Sequence, residues 1–286
     1  FGEVVRENER KVYVFGGSTV WSFGARDDYT VPSCLARLLW EKGKDVEGTN
    51  FGEGGYTSTQ DLILFTRQLQ LGNIPDAAVF YQGLNEVFGV YSSGYAGVPS
   101  QEYNRIREYN LGRLLFYRAM ENRDSLIPVP LVNLVPHVPF GNRTIEEVAP
   151  GLDISLMSRG GSAKDIVDLY LENIRVTRAI CREYGVRPLF VWQPTPWVAK
   201  PLVSHELGKL QQMEADKPGT WQLFKDVDEE LRARLKKAPL EGYLDLSRLF
   251  EDESGLIYID AGHSTEAGNQ TISQGLLPSV LSLLEN

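Results

Sequence analysis

Short runs of β-branched and aromatic residues alternate with helical patterns along this chain, and that alternation restricts its fold more than any other feature. Residues 11–15 read as a first strand, and residues 32–41 repeat apolar side chains at helical spacing, with Pro32 suited to a first turn. A second strand is expected at 45–50. Thr57 to Asp61 then offers an N-cap before Leu62-Ile63-Leu64-Phe65, and residues 77–81 read as a buried strand. Further along, residues 164–183 form a strongly amphipathic helix with Ile166, Tyr170, Ile174 and Val176 on its apolar side, stopped by Gly185. A strand at 188–192, a helix at 221–235, a strand at 243–246 and a terminal helix from Ser264 or Thr265 to about Leu284 complete the order. Strand, helix, strand in repetition favours a parallel sheet with helices on both faces, an α/β architecture.

Two stretches interrupt the pattern. Residues 91–97 are rich in Tyr, Ser and Gly and read as an exposed loop near the strand ends, followed by a helical pattern at 102–121. Residues 126–150 carry five prolines among apolar residues, which forbids a long helix or central strand. This irregular insertion reads as a packed connection or as a lid over a site. No repeat or linker divides the chain, so residues 1–286 are read as a single domain.

Composition removes several functions. Hydrophobic residues at 42% and charged residues at 23% are ordinary for a globular chain of 286 residues, long enough for a substantial core. The formal net charge of −9, without a Lys/Arg cluster, argues against a nucleic-acid partner. No apolar run is long enough to make a membrane-spanning segment. Cys34 and Cys181 fall in helical patterns and read as buried free thiols. With three histidines and no HExxH or CxxC, neither a metal site nor a cofactor is indicated. The chain starts at Phe1 in polar sequence, compatible with an extracytoplasmic protein whose leader or anchor was removed before residue 1. The oligomeric state is not readable.

The chemistry is read from four turns. Phe15-Gly16-Gly17-Ser18-Thr19 leaves the first strand and holds a hydroxyl at its C-terminal edge, where open α/β sheets bind ligands. A serine nucleophile needs a base, a group that orients the base, and donors for the oxyanion. Asp260-Ala261-Gly262-His263 puts a carboxylate three residues before an imidazole in a glycine-containing turn, a spacing that lets one ring nitrogen bind the carboxylate while the other faces Ser18. Taken singly, His263 could equally be a surface residue capping the terminal helix. Gly55 and Asn85 each follow an expected strand, as oxyanion donors or as ordinary turn residues. Four such turns in order carry the reading.

Together these blocks resemble the SGNH hydrolases, also called GDSL-type esterases. Residues 15–19 are similar to the family's first block, residues 50–57 to the second, Gly83-Leu84-Asn85-Glu86 to GxND, and Asp260 to His263 to DxxH. Gly17 stands where the family often has Asp, Thr19 where it often has Leu, and Glu86 where it has Asp. The resemblance implies a three-layer α/β/α fold with a flavodoxin-like parallel sheet of five strands, and a serine esterase mechanism. Ser18 would attack an ester carbonyl, His263 would take its proton, Asp260 would hold the imidazole, and Asn85 with the N–H groups of Gly55 and Ser18 would bind the oxyanion. The substrate class is a small-molecule or glycan ester carrying a short acyl group such as acetyl, hydrolysed or transferred. Trp21, Tyr56, Tyr91, Tyr95, Trp192 and Trp197 lie near the expected strand ends, with Tyr56 and Trp192 chosen as substrate contacts. The alternatives are a lysophospholipase- or thioesterase-type lipid hydrolase, or an inactive binding module on the same fold. A phosphate-binding loop at residues 15–24 fits neither GxxxxGK[ST] nor GxGxxG.

Overall fold

A computed structural model of the protein describes residues 10–99 and 160–285. The helical pattern at 102–121, the proline-rich stretch at 126–150 and His137 lie outside the described residues. Five strands, β1 (Arg10–Gly16), β2 (Val46–Gly52), β3 (Ala77–Gln82), β4 (Arg187–Trp192) and β5 (Tyr243–Asp245), form one all-parallel sheet in the order β2-β1-β3-β4-β5. That is the flavodoxin-like order expected, and its direction of winding reverses between β1 and β3.

Both faces of the central strands β1, β3 and β4 are buried, so they read as near-continuous apolar runs, whereas the edge strands β2 and β5 are partly exposed. Val12, Val14, Val79, Leu189 and Val191 point into one core, which α2 (Val31–Glu41) and α8 (Glu266–Glu285) cover. Tyr13, Phe15, Phe80, Phe190 and Trp192 point into the other, beneath α3 (Ser58–Gln70), α4 (Leu84–Ser93), α5 (Ala163–Tyr184), α6 (Ser204–Asp216) and α7 (Thr220–Lys237). On this second face Phe51, Phe15, Phe80 and Phe190 occupy one register row across β2, β1, β3 and β4. Their rings stack in sequence at centroid distances of 4.9, 5.2 and 5.3 Å. A slip of one residue in any strand would send its ring to the opposite face, so the row ties the strand ends, and the turns after them, to one level.

Several expectations change. The exposed loop expected at 91–97 is helical for its first three residues, because α4 continues to Ser93 before Gly94 ends it in the left-handed conformation. Val176, expected on the apolar side of α5, is 41% exposed. Helix α6 had no sequence expectation, and Glu206 and Leu210 are its buried residues. Asn269, part of an Asn-x-Thr match to the glycosylation pattern, is buried, donating to the Tyr29 carbonyl and accepting from Ser264 Oγ, so no acceptor amide is presented there. Cys34 and Cys181 are buried free thiols, and burial pushes the Cys181 thiol up to about 12. Among the described residues, no helix is long and apolar enough to cross a membrane.

Candidate active site

Each of β1, β2 and β3 ends in a turn at the same edge of the sheet, and the site is built from those turns. Leaving β1, Gly17 is the N-cap and Ser18 the first residue of α1 (Ser18–Trp21). A first-turn N–H has no partner inside its own helix, so the Ser18 N–H is a free donor of the helix itself, beside the Ser18 hydroxyl. After β2, Gly55 (φ +76°) precedes Tyr56, and the Tyr56 carbonyl accepts a hydrogen bond from Asn85 Nδ2 at 2.9 Å. After β3, Asn85 sits in the first turn of α4. The three turns converge at Gly17, where an added Cβ would stand 2.1 Å from Asn85 Nδ2 and 3.3 Å from the Tyr56 carbonyl. A side chain here would have to displace the Asn85 amide, so glycine lets the turns after β2 and β3 close against Ser18.

The remaining two residues arrive from outside the sheet. His263 Nε2 lies 2.7 Å from Ser18 Oγ, and His263 Nδ1 lies 2.7 Å from Asp260 Oδ2. The second Asp260 oxygen accepts the N–H groups of Gly262 and His263 at 2.9 and 2.8 Å. Burial pushes the Asp260 carboxyl up, but the His263 ring and the backbone donors outweigh it and leave the group below the usual aspartate range. An ionised acceptor on Nδ1 places the ring hydrogen there and leaves Nε2 free to accept the Ser18 proton.

Two groups of side chains hold these parts, and sequence reading assigned a role to neither. Beneath the donor turns, the buried Glu86 carboxylate accepts the N–H groups of Gly83 and Ser58, each at 2.7 Å, tying the start of α4 to the start of α3. Burial raises its carboxyl despite those bonds. Asp61, also fully buried, accepts from Gln82 Nε2 at 2.8 Å and stands well above its usual range through burial. Beneath the acid–base loop, Lys200 and Glu206 are a buried ion pair at 2.7 Å, with side chains 1% and 0% exposed. Glu206 accepts the N–H groups of Ile257 and Tyr258, each at 2.9 Å. His205 Nε2 bonds the Ile259 carbonyl at 3.0 Å, and Trp197 Nε1 donates to the Ala261 carbonyl at 2.8 Å. The Gly83-x-x-Glu86 spacing, half of a capping box, was the available signal for the first group. The second joins residues about 50 positions apart and has no local signal.

Ser18, Asp260 and His263 are thus in direct contact, and Asn85 and the Gly55 turn stand beside them. The aromatic residues divide differently. Tyr56 borders the site through its carbonyl. Trp192 is 5% exposed, packed on Tyr170 and over Gly83, and so belongs to the core rather than to a surface that substrate can reach. Trp197 is likewise buried, stacked on Phe224. A cavity of about 730 Å³ between Arg178, Arg187, Tyr243 and Pro278 lies at the opposite, N-terminal edge of the strands. Its one thiol, Cys181, is pushed up to about 12 by burial. Among the described residues, no cluster of His, Cys, Asp or Glu is arranged to hold a metal ion.

Solved structures with this architecture include an acetyl xylan esterase, AlAXEase, at 16% identity and TM-score 0.50 over 94% of this chain and 99% of that one. The fold is that of the SGNH hydrolases. A member of the lipolytic G-D-S-L family from Veillonella parvula DSM 2008 is similar at 9% identity and TM-score 0.48, over 94% of this chain and 97% of its own. A family 3 carbohydrate esterase from Clostridium thermocellum is similar at 14% identity and TM-score 0.48, over 97% and 98%. By sequence, the chain matches no protein-family model and no curated protein. The SGNH fold accounts for where the turns lie, and the contacts among Ser18, His263 and Asp260 are this chain's own.

Proposed function

We propose that the protein is a serine esterase that removes a short acyl group from an ester, through an acyl-enzyme on Ser18. The observation that carries this reading is the chain of contacts from Ser18 Oγ to His263 Nε2 and from Nδ1 to Asp260, each link 2.7 Å. Ser18 Oγ bonds to the ester carbonyl carbon while its proton passes to Nε2. The resulting oxyanion is held by the N–H groups of Ser18 and Gly55 and by the Asn85 amide. Collapse breaks the bond to the alcohol, which leaves with the proton from Nε2. A water then repeats the sequence in reverse roles, giving its proton to Nε2, releasing the acid and restoring the serine. Asp260 stays ionised throughout and stabilises the imidazolium.

The SGNH fold shared with an acetyl xylan esterase supports a short acyl group on a carbohydrate as the substrate class. The experiment is labelling with a fluorophosphonate probe alongside hydrolysis of p-nitrophenyl acetate. The wild-type protein is expected to react at Ser18 and to turn over. Ser18→Ala should lose the label and lower kcat by about 10⁴-fold or more. Near-normal hydrolysis by Ser18→Ala would overturn the assignment.

A further inference from the structure

The turn that follows the nucleophile holds a phenyl ring against the base in an unusual way. Ser22, which ends α1, is the one non-glycine residue with positive φ (64°) among the described residues. It is 5% exposed, its hydroxyl donates to the Thr19 and Val20 carbonyls, and its oxygen accepts the Val31 N–H. The chain therefore doubles back, and the Phe23 N–H returns to the carbonyl of Ser18 at 3.1 Å. Gly24 follows at φ +85°, where an added Cβ would stand 2.5 Å from Ile259 Cδ1, so the turn lies directly on the acid–base loop. The outcome is a Phe23 side chain that is 54% exposed with its ring centroid 5.1 Å from that of His263. A left-handed serine is a costly conformation that persists only where its surroundings enforce it, and here it aims a large apolar group into water beside the catalytic base.

Proton delivery fixes what belongs at that place. In the acylation step His263 Nε2 gives its proton to the departing alcohol, so the alcohol lies within hydrogen-bond reach of Nε2 and alongside the imidazole. Phe23 borders that position. Its ring is open to solvent. An open apolar face suits a molecule with one apolar side and a polar rim. We propose that Phe23 forms the floor of the leaving-group subsite, and that the alcohol it receives is a sugar ring, its C–H face on the phenyl and its hydroxyls in water. This rests on the esterase reading and assigns the residue that receives the alcohol half of its substrate.

The test compares acetates that share an acyl-enzyme and differ only in the alcohol. Glucose pentaacetate, ethyl acetate and hexyl acetate are assayed with the wild-type protein, Phe23→Ala and Phe23→Tyr. Trp40→Ala, which removes an aromatic side chain 71% exposed at the far end of α2, serves as the control. Phe23→Ala is expected to lower kcat/KM for the sugar acetate about tenfold while ethyl acetate stays within about twofold, since kcat/KM reports acylation, in which a sugar ring covers the phenyl and an ethyl group does not. Phe23→Tyr should restore the sugar acetate, and Trp40→Ala should change nothing. Equal losses on all three esters would mean that Phe23 acts through His263, and would overturn the subsite. So would no loss on any ester, or a loss confined to hexyl acetate, which marks an aliphatic alcohol. Absence of turnover on every ester together with an unlabelled Ser18 would sink the esterase reading itself, and the subsite with it.

Discussion

The two halves of the candidate site are held in place by different physics. Ser18 and the turns that carry Gly55 and Asn85 hang from the ends of three adjacent strands, and their positions follow from the register of the sheet and from a close approach at Gly17. The acid–base loop is not one of the turns that leave β1, β2 or β3. Asp260 and His263 are placed by side chains from residues 197–206, which bind the backbone at 257, 258, 259 and 261. The first half is therefore sensitive to added volume and the second to removed polar partners. Each is best probed by the substitution that the other would tolerate.

The largest effect is expected from breaking the clamp. Glu206→Ala leaves the Lys200 ammonium buried without its carboxylate and leaves the N–H groups of Ile257 and Tyr258 without an acceptor. The expected loss is about 3–5 kcal/mol of unfolding free energy in urea titration. Glu206→Gln, which keeps an acceptor oxygen, should lose less. A loss below about 1 kcal/mol for Glu206→Ala would show that the loop holds itself.

On the sheet side, Gly17→Ala puts a methyl group onto Asn85 Nδ2 and should lower kcat by about 10²–10³, the cost of losing one oxyanion donor. Asn85→Ala is expected to cost a similar amount. The double variant should be no worse than either single one, because the added methyl then has nothing left to displace. Losses that multiply would mean that Gly17 acts on something other than Asn85.

The same difference explains what could be read from the chain. Strand ends carry local signals, a β-branched run breaking into glycine, so Ser18, Gly55 and Asn85 were each visible within a few residues. The Phe row that fixes their common level was present as isolated aromatic residues, but pairing across strands has no linear signature. Asp260 and His263 were legible because their contact is itself local, three residues apart. The clamp was not, since Glu206 meets Ile257 across 51 positions and α6 shows little apolar periodicity to announce it. Trp192 departs from the expectation for a related reason. Its place at the end of β4 was foreseeable, but the side of the sheet it faces depends on α5, whose Tyr170 covers it.

A weaker cut at the clamp is Trp197→Phe, which keeps the stack on Phe224 and removes the bond to the Ala261 carbonyl. The carbonyl loses one buried donor, at a cost of about 1 kcal/mol in stability. If the bond also sets the height of the loop, kcat should fall severalfold at unchanged KM. Stability loss without a change in kcat would assign Trp197 to packing alone.

The smallest effect concerns the acids under each half, whose titrations run in opposite directions. Asp260 and Glu206 have carboxyls lowered below their usual range, because hydrogen bonds from His263 and Lys200 and from backbone donors outweigh burial. Their contribution to stability is present above the unfolded values and is lost as pH falls through the folded ones. Asp61 and Glu86 are raised by burial, so their contribution is complete below the unfolded values, about 3.9 and 4.3, and is lost as pH rises through the folded ones. One Asp61 oxygen is buried without a hydrogen-bond partner, which makes its ionised form the more costly. Asp61→Asn keeps an oxygen for Gln82 and cannot ionise. The melting temperature of the variant should therefore gain on that of the wild-type protein between pH 5 and pH 8, by less than any of the preceding effects, with Glu86 retaining part of the slope. Thermal melts at the two pH values measure the gain. A wild-type protein that instead gains on the variant as pH rises would place an ionised, satisfied Asp61 beneath the donor turns, and the two halves would then respond to pH alike.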